Sequence, residues 1–252
     1  MILNIFAFIV GAAIGSFLNV CIFRIPADSS IVKPSSQCPS CHHPIRFYDN
    51  IPIISFILLR ARCRDCGEKI SWRYPLIELI TALMTLLLFM KFGLTINFLV
   101  FFIFTAVLIV ISFIDLHHQI IPDVLSLPGI PIFFLAAVFI VKVPWHEALI
   151  GLLFGGGVLF LIALIYEFIT KREGMGGGDI KLLAMIGGFL GWKSLIFVLL
   201  FSSLAGAVVG ITAMVIKKQD MKYAVPFGPF LSLAAIAYIF WGDVFMRFLF
   251  LQ

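Results

Sequence analysis

The chain has 252 residues, 62% of them hydrophobic and only 12% charged, with a mean hydropathy of +1.13. That composition describes a polytopic membrane protein and excludes a soluble globular domain, while long unbroken apolar runs exclude a transmembrane β-barrel. The net charge of +5 is accounted for by the loops flanking the apolar runs, so no nucleic-acid partner is needed to explain it.

Eight apolar runs follow one another: residues 2–23, 75–90, 94–114, 124–141, 148–169, 180–190, 195–216 and 223–240. They predict an all-α fold of about eight transmembrane helices. The first run lacks a basic n-region and a small-x-small cleavage site before Arg24, so it is expected to be a retained helix and not a cleavable signal peptide. One sizeable polar stretch, residues 24–73, separates the first two runs. It holds eight Lys or Arg residues, and together with Lys171, Arg172 and Lys181 and with Lys217, Lys218 and Lys222 it puts fourteen basic residues on one side of the membrane. Lys91, Lys142, Lys193 and Arg247 are left for the other side. The bias places the large loop in the cytoplasm and both termini outside. The run 180–190 is short: eleven residues make about 16 Å of helix against a hydrocarbon core of about 30 Å. It either extends into the preceding glycines and Trp192 or forms a half-helix. Keeping Lys217, Lys218 and Lys222 in the cytoplasm favours a full crossing.

Within 24–73 lie Cys38-Pro-Ser-Cys41 and Cys63-Arg-Asp-Cys66. Each Cys-x-x-Cys pair chelates through a tight turn, and two pairs supply four thiolates for a tetrahedral zinc ion. A structural site is expected, since four sulfurs leave no open coordination position, and a reducing compartment disfavours disulfides. His42 and His43 are read as solvated loop residues and Cys21 as a small buried hydrophobe. The apolar stretch 50–59 between the pairs suits either the membrane face or the small core of a zinc-stapled module.

Most of the thirteen acidic residues have plain explanations. Glu167 can pair with Lys171; Asp28, Asp49, Asp65, Glu68 and Glu173 belong to wet loops; Asp220 sits in the 217–222 turn; Glu147 and Asp243 lie near the outer face. Four remain. Glu78 is expected to pair with Arg73 or Arg24, and Asp123, after Pro122, to cap a helix. Asp115 ends the third run, and Asp179 follows Gly176-Gly177-Gly178 at the mouth of the sixth. A carboxylate entering lipid is costly, by roughly 2.5 kcal/mol or more at a helix centre, so it marks function. The glycines before it read as room for an extended substrate backbone. Two aspartates sharing a proton perform aspartic proteolysis, one polarising the scissile carbonyl and the other deprotonating water. Paired membrane carboxylates also carry protons or cations in transporters, which remains the alternative. His117 and His118 lack a neighbouring nucleophile motif and read as surface or cap residues.

At this point the motifs resemble those of the type IV prepilin peptidases, the bifunctional leader peptidase/N-methyltransferases. The resemblance runs through Gly15-Ser16-Phe17-Leu18-Asn19-Val20 with Arg24 and Pro26, the two cysteine pairs with Asn50-Ile51-Pro52 between them, and residues 70–78. It continues through 115–123, Gly174-Met175-Gly176-Gly177-Gly178-Asp179-Ile180-Lys181-Leu182 and Pro226-Phe227-Gly228-Pro229-Phe230. Ala61 stands where the family often has glycine. The cysteine loop points to the bacterial branch.

The resemblance implies that Asp115 and Asp179 are the catalytic pair and that Asp123 occupies an additional acidic position. It implies prepilin or pseudopilin substrates, cleaved after a glycine at the cytoplasmic face of the bacterial cytoplasmic membrane. It further implies methylation of the new N-terminus with S-adenosylmethionine. The turn 174–178 is not a nucleotide-binding fingerprint, because no strand precedes it. The expected organisation is a first membrane helix (1–23), a zinc-binding loop (24–73) ligated by Cys38, Cys41, Cys63 and Cys66, and a membrane-embedded peptidase core (74–252).

Overall fold

The structure, a computed structural model, describes residues 1–170, 176–217 and 226–250. Among these, nine α-helices form and no β-strand: α1 (Ile2–Arg24), α2 (Ile54–Leu58), α3 (Arg73–Phe92), α4 (Ile96–His118), α5 (Asp123–Ala136), α6 (Trp145–Thr170), α7 (Gly177–Leu190), α8 (Trp192–Lys217) and α9 (Gly228–Phe250). Seven of them, all but α2 and α7, are long and apolar enough to cross a membrane, α5 because a π-helical turn, Ala137–Val141, extends it into a span of 19 residues, Asp123–Val141. The expected pairing of Glu167 with Lys171, the glycine turn from 174 and the 217–222 turn fall wholly or partly outside the described residues. The chain divides into two compact units, Met1–Val110 and Ile111–Gln252, with the boundary inside α4.

In the first unit α1 lies tightly along α3. Gly11 and Gly15 stand one turn apart on α1, and a Cβ on either would meet the α3 backbone at Ala82 or Glu78. Small residues at such a crossing let two helices approach closely in lipid, where packing replaces the hydrophobic drive. Asn19 adds polar bonds at the same seam, donating to Gly15 O at 3.2 Å and Tyr74 O at 3.1 Å. The stretch 24–73 leaves α1 and returns at α3 as a closed excursion. Arg24 turns it back at the start, donating to Ser30 O and Pro34 O, both at 2.8 Å.

In the second unit α7 is the centre. Every residue from Leu182 to Phe189 is buried, so all faces of the helix are covered by protein. Gly151 and Gly155 of α6 sit against the backbone of Gly187 and Leu183, Gly129 of α5 receives the Met185 sulfur, and Phe133 packs on Phe189 with ring centroids 5.5 Å apart. α7 gains the glycine Gly177 at its start but ends before Trp192. Gly191, at φ +81°, breaks it, and α8 begins with the next residue. At 14 residues it is about 21 Å long, short of a full crossing.

The last helix departs from expectation. It begins at Gly228 instead of 223 and continues ten residues past 240, through Gly242 and Asp243 to Phe250. Pro226 and Pro229 set the start, since proline suits only the first turn of a helix.

Candidate functional site

The two Cys-x-x-Cys turns are built alike. In each, the amide four residues after the first cysteine donates back to it, His42 N–H to Cys38 O at 2.9 Å and Gly67 N–H to Cys63 O at 3.0 Å. The first cysteine's own amide then donates five residues on, to His43 O at 3.0 Å and Glu68 O at 2.8 Å. Both turns need positive φ at the same corner, +57° at His42 and +72° at Gly67. His42 is therefore a corner residue, and the exposed His43 lies 4.0 Å from Asp65. Asp49 is no free loop acid: it accepts two bonds from Arg64 of the second turn, at 2.8 and 2.6 Å.

All five cysteines are free, and the four loop sulfurs lie within 4.8 Å of one another, so the cluster could hold a metal ion. A tetrahedron of sulfurs about 2.3 Å from zinc has edges of about 3.8 Å. Cys38 and Cys66 are separated by 3.8 Å. Amide donation from Cys41 brings the Cys38 thiol down to about 7. At Cys66 the Glu68 amide favours the thiolate, but burial and the neighbouring thiols outweigh it and push the group up to about 12. Four thiolates cannot crowd together without a cation among them, which fits the donor set to a metal.

The second cluster gathers at the starts of α7 and α9 and the end of α4. Asp115, buried near the end of α4, accepts the Gly228 N–H on Oδ2 at 3.0 Å. Gly228 opens α9, where amides have no intrahelical partner. A Cβ there would lie 2.7 Å from Asp115 Oδ2 and 3.2 Å from Ile121 Cδ1. Ile121 also meets α7, because a Cβ on Gly178 would lie 2.8 Å from its own Cβ. The side chain thus sits between two glycines, one beside each aspartate. Gly178 makes room for Ile121, not for substrate. Among the described residues, a Cβ on Gly177 would have nothing within 4 Å and one on Gly176 only Asp179 Oδ2 at 3.9 Å, so these residues leave space there.

Asp179 precedes the apolar part of α7 and belongs to none of the seven spans. Burial and then the charge on Asp115 push its carboxyl up to about 6. Asp123 does not cap α5, whose N-cap is Pro122 with no side-chain bond. Its carboxylate instead pairs with Lys181 of α7 at 2.6 Å. The pair is exposed and worth on the order of 0–1 kcal/mol, so it fixes register more than it stabilises. Glu78 departs from expectation too. It makes no ion pair among the described residues, and its Oε2 accepts the Ile53 N–H at 2.8 Å while Arg24 is engaged with loop carbonyls. Glu147 pairs with Lys193 at 3.1 Å, and His117 and His118 are exposed.

Sequence reasoning passed over Gly228, Ile121 and Lys181 as site residues. Only a glycine between Pro226-Phe227 and Pro229 hinted that a backbone amide there was wanted at a helix start.

Two family models match in succession, the bacterial peptidase A24 N-terminal domain over residues 9–92 and the type IV leader peptidase family over residues 102–211. Prepilin leader peptidase/N-methyltransferase from Pseudomonas putida is 35% identical over 94% of this chain and 90% of its own length. The chain belongs to the type IV leader peptidase family. Relatives of the same name from Aeromonas salmonicida, 38% identical over 95% of this chain and 91% of the relative, and from Neisseria gonorrhoeae, 37% identical over 90% and 87%, span it equally well. No solved structure matches the chain.

Two predictions follow from the aspartate cluster. Gly178→Ala should lower the unfolding midpoint in detergent, by about 1–3 kcal/mol of overpacking, and a second change, Ile121→Ala, should restore most of the loss. The same second change should not rescue Gly228→Ala, whose methyl meets Asp115 itself. For pH, the folded chain keeps a proton on Asp179 between its ordinary 3.8 and about 6 that the unfolded chain releases, so stability falls as pH rises through that window. Asp179→Asn should match the parent near pH ~4 and exceed it above pH ~6, by at most about 3 kcal/mol. Thermal unfolding across pH measures the gap, and a constant difference would contradict the raised carboxyl.

Proposed function

We propose that this chain is a membrane aspartic endopeptidase of the bacterial inner membrane that removes the basic leader from type IV prepilins or pseudopilins. The observation that carries the reading is the gathering of Asp115 and Asp179 around Ile121, beside Gly176 and Gly177, where the described residues leave space. Asp179, with its raised carboxyl, keeps the shared proton and hydrogen-bonds the scissile carbonyl. Asp115 has one oxygen held by Gly228 and offers the other to a water molecule. The water attacks the carbonyl carbon and gives up a proton to Asp115. The tetrahedral intermediate then collapses, the C–N bond breaks, and the departing amine takes a proton from the pair. No covalent enzyme intermediate is needed. The basic bias of the 24–73 loop supports a cytoplasmic location for this chemistry, where a leader preceding a membrane helix would be found.

The second activity, methylation of the new N-terminal amine from S-adenosylmethionine, rests on the names of the relatives. A carboxylate-based transporter finds no support in them. We assign Cys38, Cys41, Cys63 and Cys66 to a structural zinc ion, which would tie the two turns of the loop together and leave no position for substrate.

Purified protein incubated with a prepilin and methyl-labelled S-adenosylmethionine should release the leader and transfer label. Asp115→Asn and Asp179→Asn should each cut leader release at least about 1,000-fold while the protein stays in the membrane, since the pair acts as a unit. Either variant processing at the parent rate would overturn the dyad. Metal analysis should find one zinc per chain, lost on replacing Cys38 and Cys41 by Ser; protein purified without chelators and free of zinc would reject the site.

A further inference from the structure

The short helix α2 is turned the wrong way round for a water-facing loop. Its one polar residue, Ser55, is buried and works inward, accepting the Ile51 N–H at 3.1 Å and donating to Tyr48 O at 3.0 Å. Its outward face is apolar: Ile54, Ile57 and Leu58, at helical spacing, are 53%, 67% and 75% exposed. Phe47 and Trp72 flank them at 87% and 75%. Contiguous exposure of this kind marks a surface that something covers.

What covers it follows from where the helix is held. The turn leading into α2 is strained. Ile53, a β-branched residue, has φ +63°, and the Ile54 N–H bonds back to Pro52 O at 2.6 Å, closing a three-residue γ-turn. The strained residue's own amide is tied to the buried Glu78 carboxylate at 2.8 Å. Glu78 is the sixth residue of α3, about 8 Å along it. The start of α2 is therefore latched beside the first two turns of a membrane-crossing helix, whose own outward residues Leu76, Leu79 and Leu83 are exposed apolar side chains. Trp72 lies at the N-cap of α3, the level where aromatic rings favour the membrane interface, and its ring packs on Phe56 of α2 at 4.7 Å. Arg60 and Arg62 follow directly, both exposed, in a stretch with eight basic and four acidic residues.

We propose that α2, with Phe47 and Trp72, is an in-plane membrane anchor that inserts into the leaflet entered by the start of α3, with Arg60 and Arg62 on anionic lipid headgroups. The cysteine module is then an interfacial structure held on the bilayer, with Glu78 as the latch that sets its depth. The inference does not depend on the peptidase reading.

The test places a reporter on α2. Ile57→Trp, with the four native tryptophans replaced by Phe, is reconstituted as the full chain in vesicles of phosphatidylcholine and phosphatidylglycerol at about three to one. Bromines near the headgroup end of the acyl chains should quench the emission more than bromines near the bilayer centre, and aqueous iodide should quench little. Quenching by iodide with none by bromolipid would overturn the proposal. Protection from both would also overturn it, because a second copy or another protein would then cover the face. The unsubstituted chain gives an independent check should the variant fold poorly. Diazirine-bearing phosphatidylcholine in the same vesicles should leave adducts between Phe47 and Leu58 as well as on the spans, and adducts confined to the spans would refute the anchor.

Discussion

Two carboxylates of like charge are held near each other at the edge of lipid, and the backbone around them is shaped to make that possible. Repulsion and desolvation both oppose the arrangement. Close contacts without Cβ atoms offset them: Gly178 and Gly228 admit Ile121 from either side, and Gly228 adds an amide on Asp115. The Lys181–Asp123 pair then ties the start of α7 to the start of α5. α7 can serve as the rigid carrier of Asp179 because protein covers all its faces from Leu182 to Phe189. A helix exposed to lipid on one side would be free to rotate; an enclosed one presents its first turn in one direction.

The same device recurs in the first unit for a different purpose. Gly11 and Gly15 let α1 and α3 meet closely, which brings the two ends of the 24–73 excursion together. A module of some fifty residues has little core of its own, and it compensates with four gathered thiols, the Asp49–Arg64 fork and the Glu78 latch. The buried Glu78 illustrates a general point about carboxylates in apolar surroundings. It is satisfied by a backbone amide instead of a cation, which avoids desolvating a second charge.

Hydropathy located seven of the helices to within a few residues, since a long apolar run has one stable form in lipid. It failed at the last helix, where the proline-set start and the tolerance of Asp243 inside a long helix were invisible to a window of apolar residues. The cysteine pairs were legible because Cys-x-x-Cys spacing is local, and the matching positive φ at His42 and Gly67 is what that spacing requires. The partners of Asp123 and Glu78 were not legible. Asp123 finds Lys181 58 residues away and Glu78 finds Ile53 25 residues away, and no local pattern announces such pairs.

The sequence by itself determined the membrane class, the order of the helices, the four-sulfur set and the short list of acids, Glu78, Asp115, Asp123 and Asp179, because each is a matter of composition or spacing along the chain. Only the tertiary structure decided what the conspicuous glycines are for. Gly178 is taken up by Ile121, while among the described residues nothing but Asp179 comes within 4 Å of a Cβ at Gly176 or Gly177. It also decided that Asp115 is held by the amide of Gly228, 113 residues on, and that the apolar stretch in the cysteine loop turns Ile54, Ile57 and Leu58 outward. These are facts of close approach between distant segments, and close approach depends on how whole helices pack, which no run of neighbouring residues encodes.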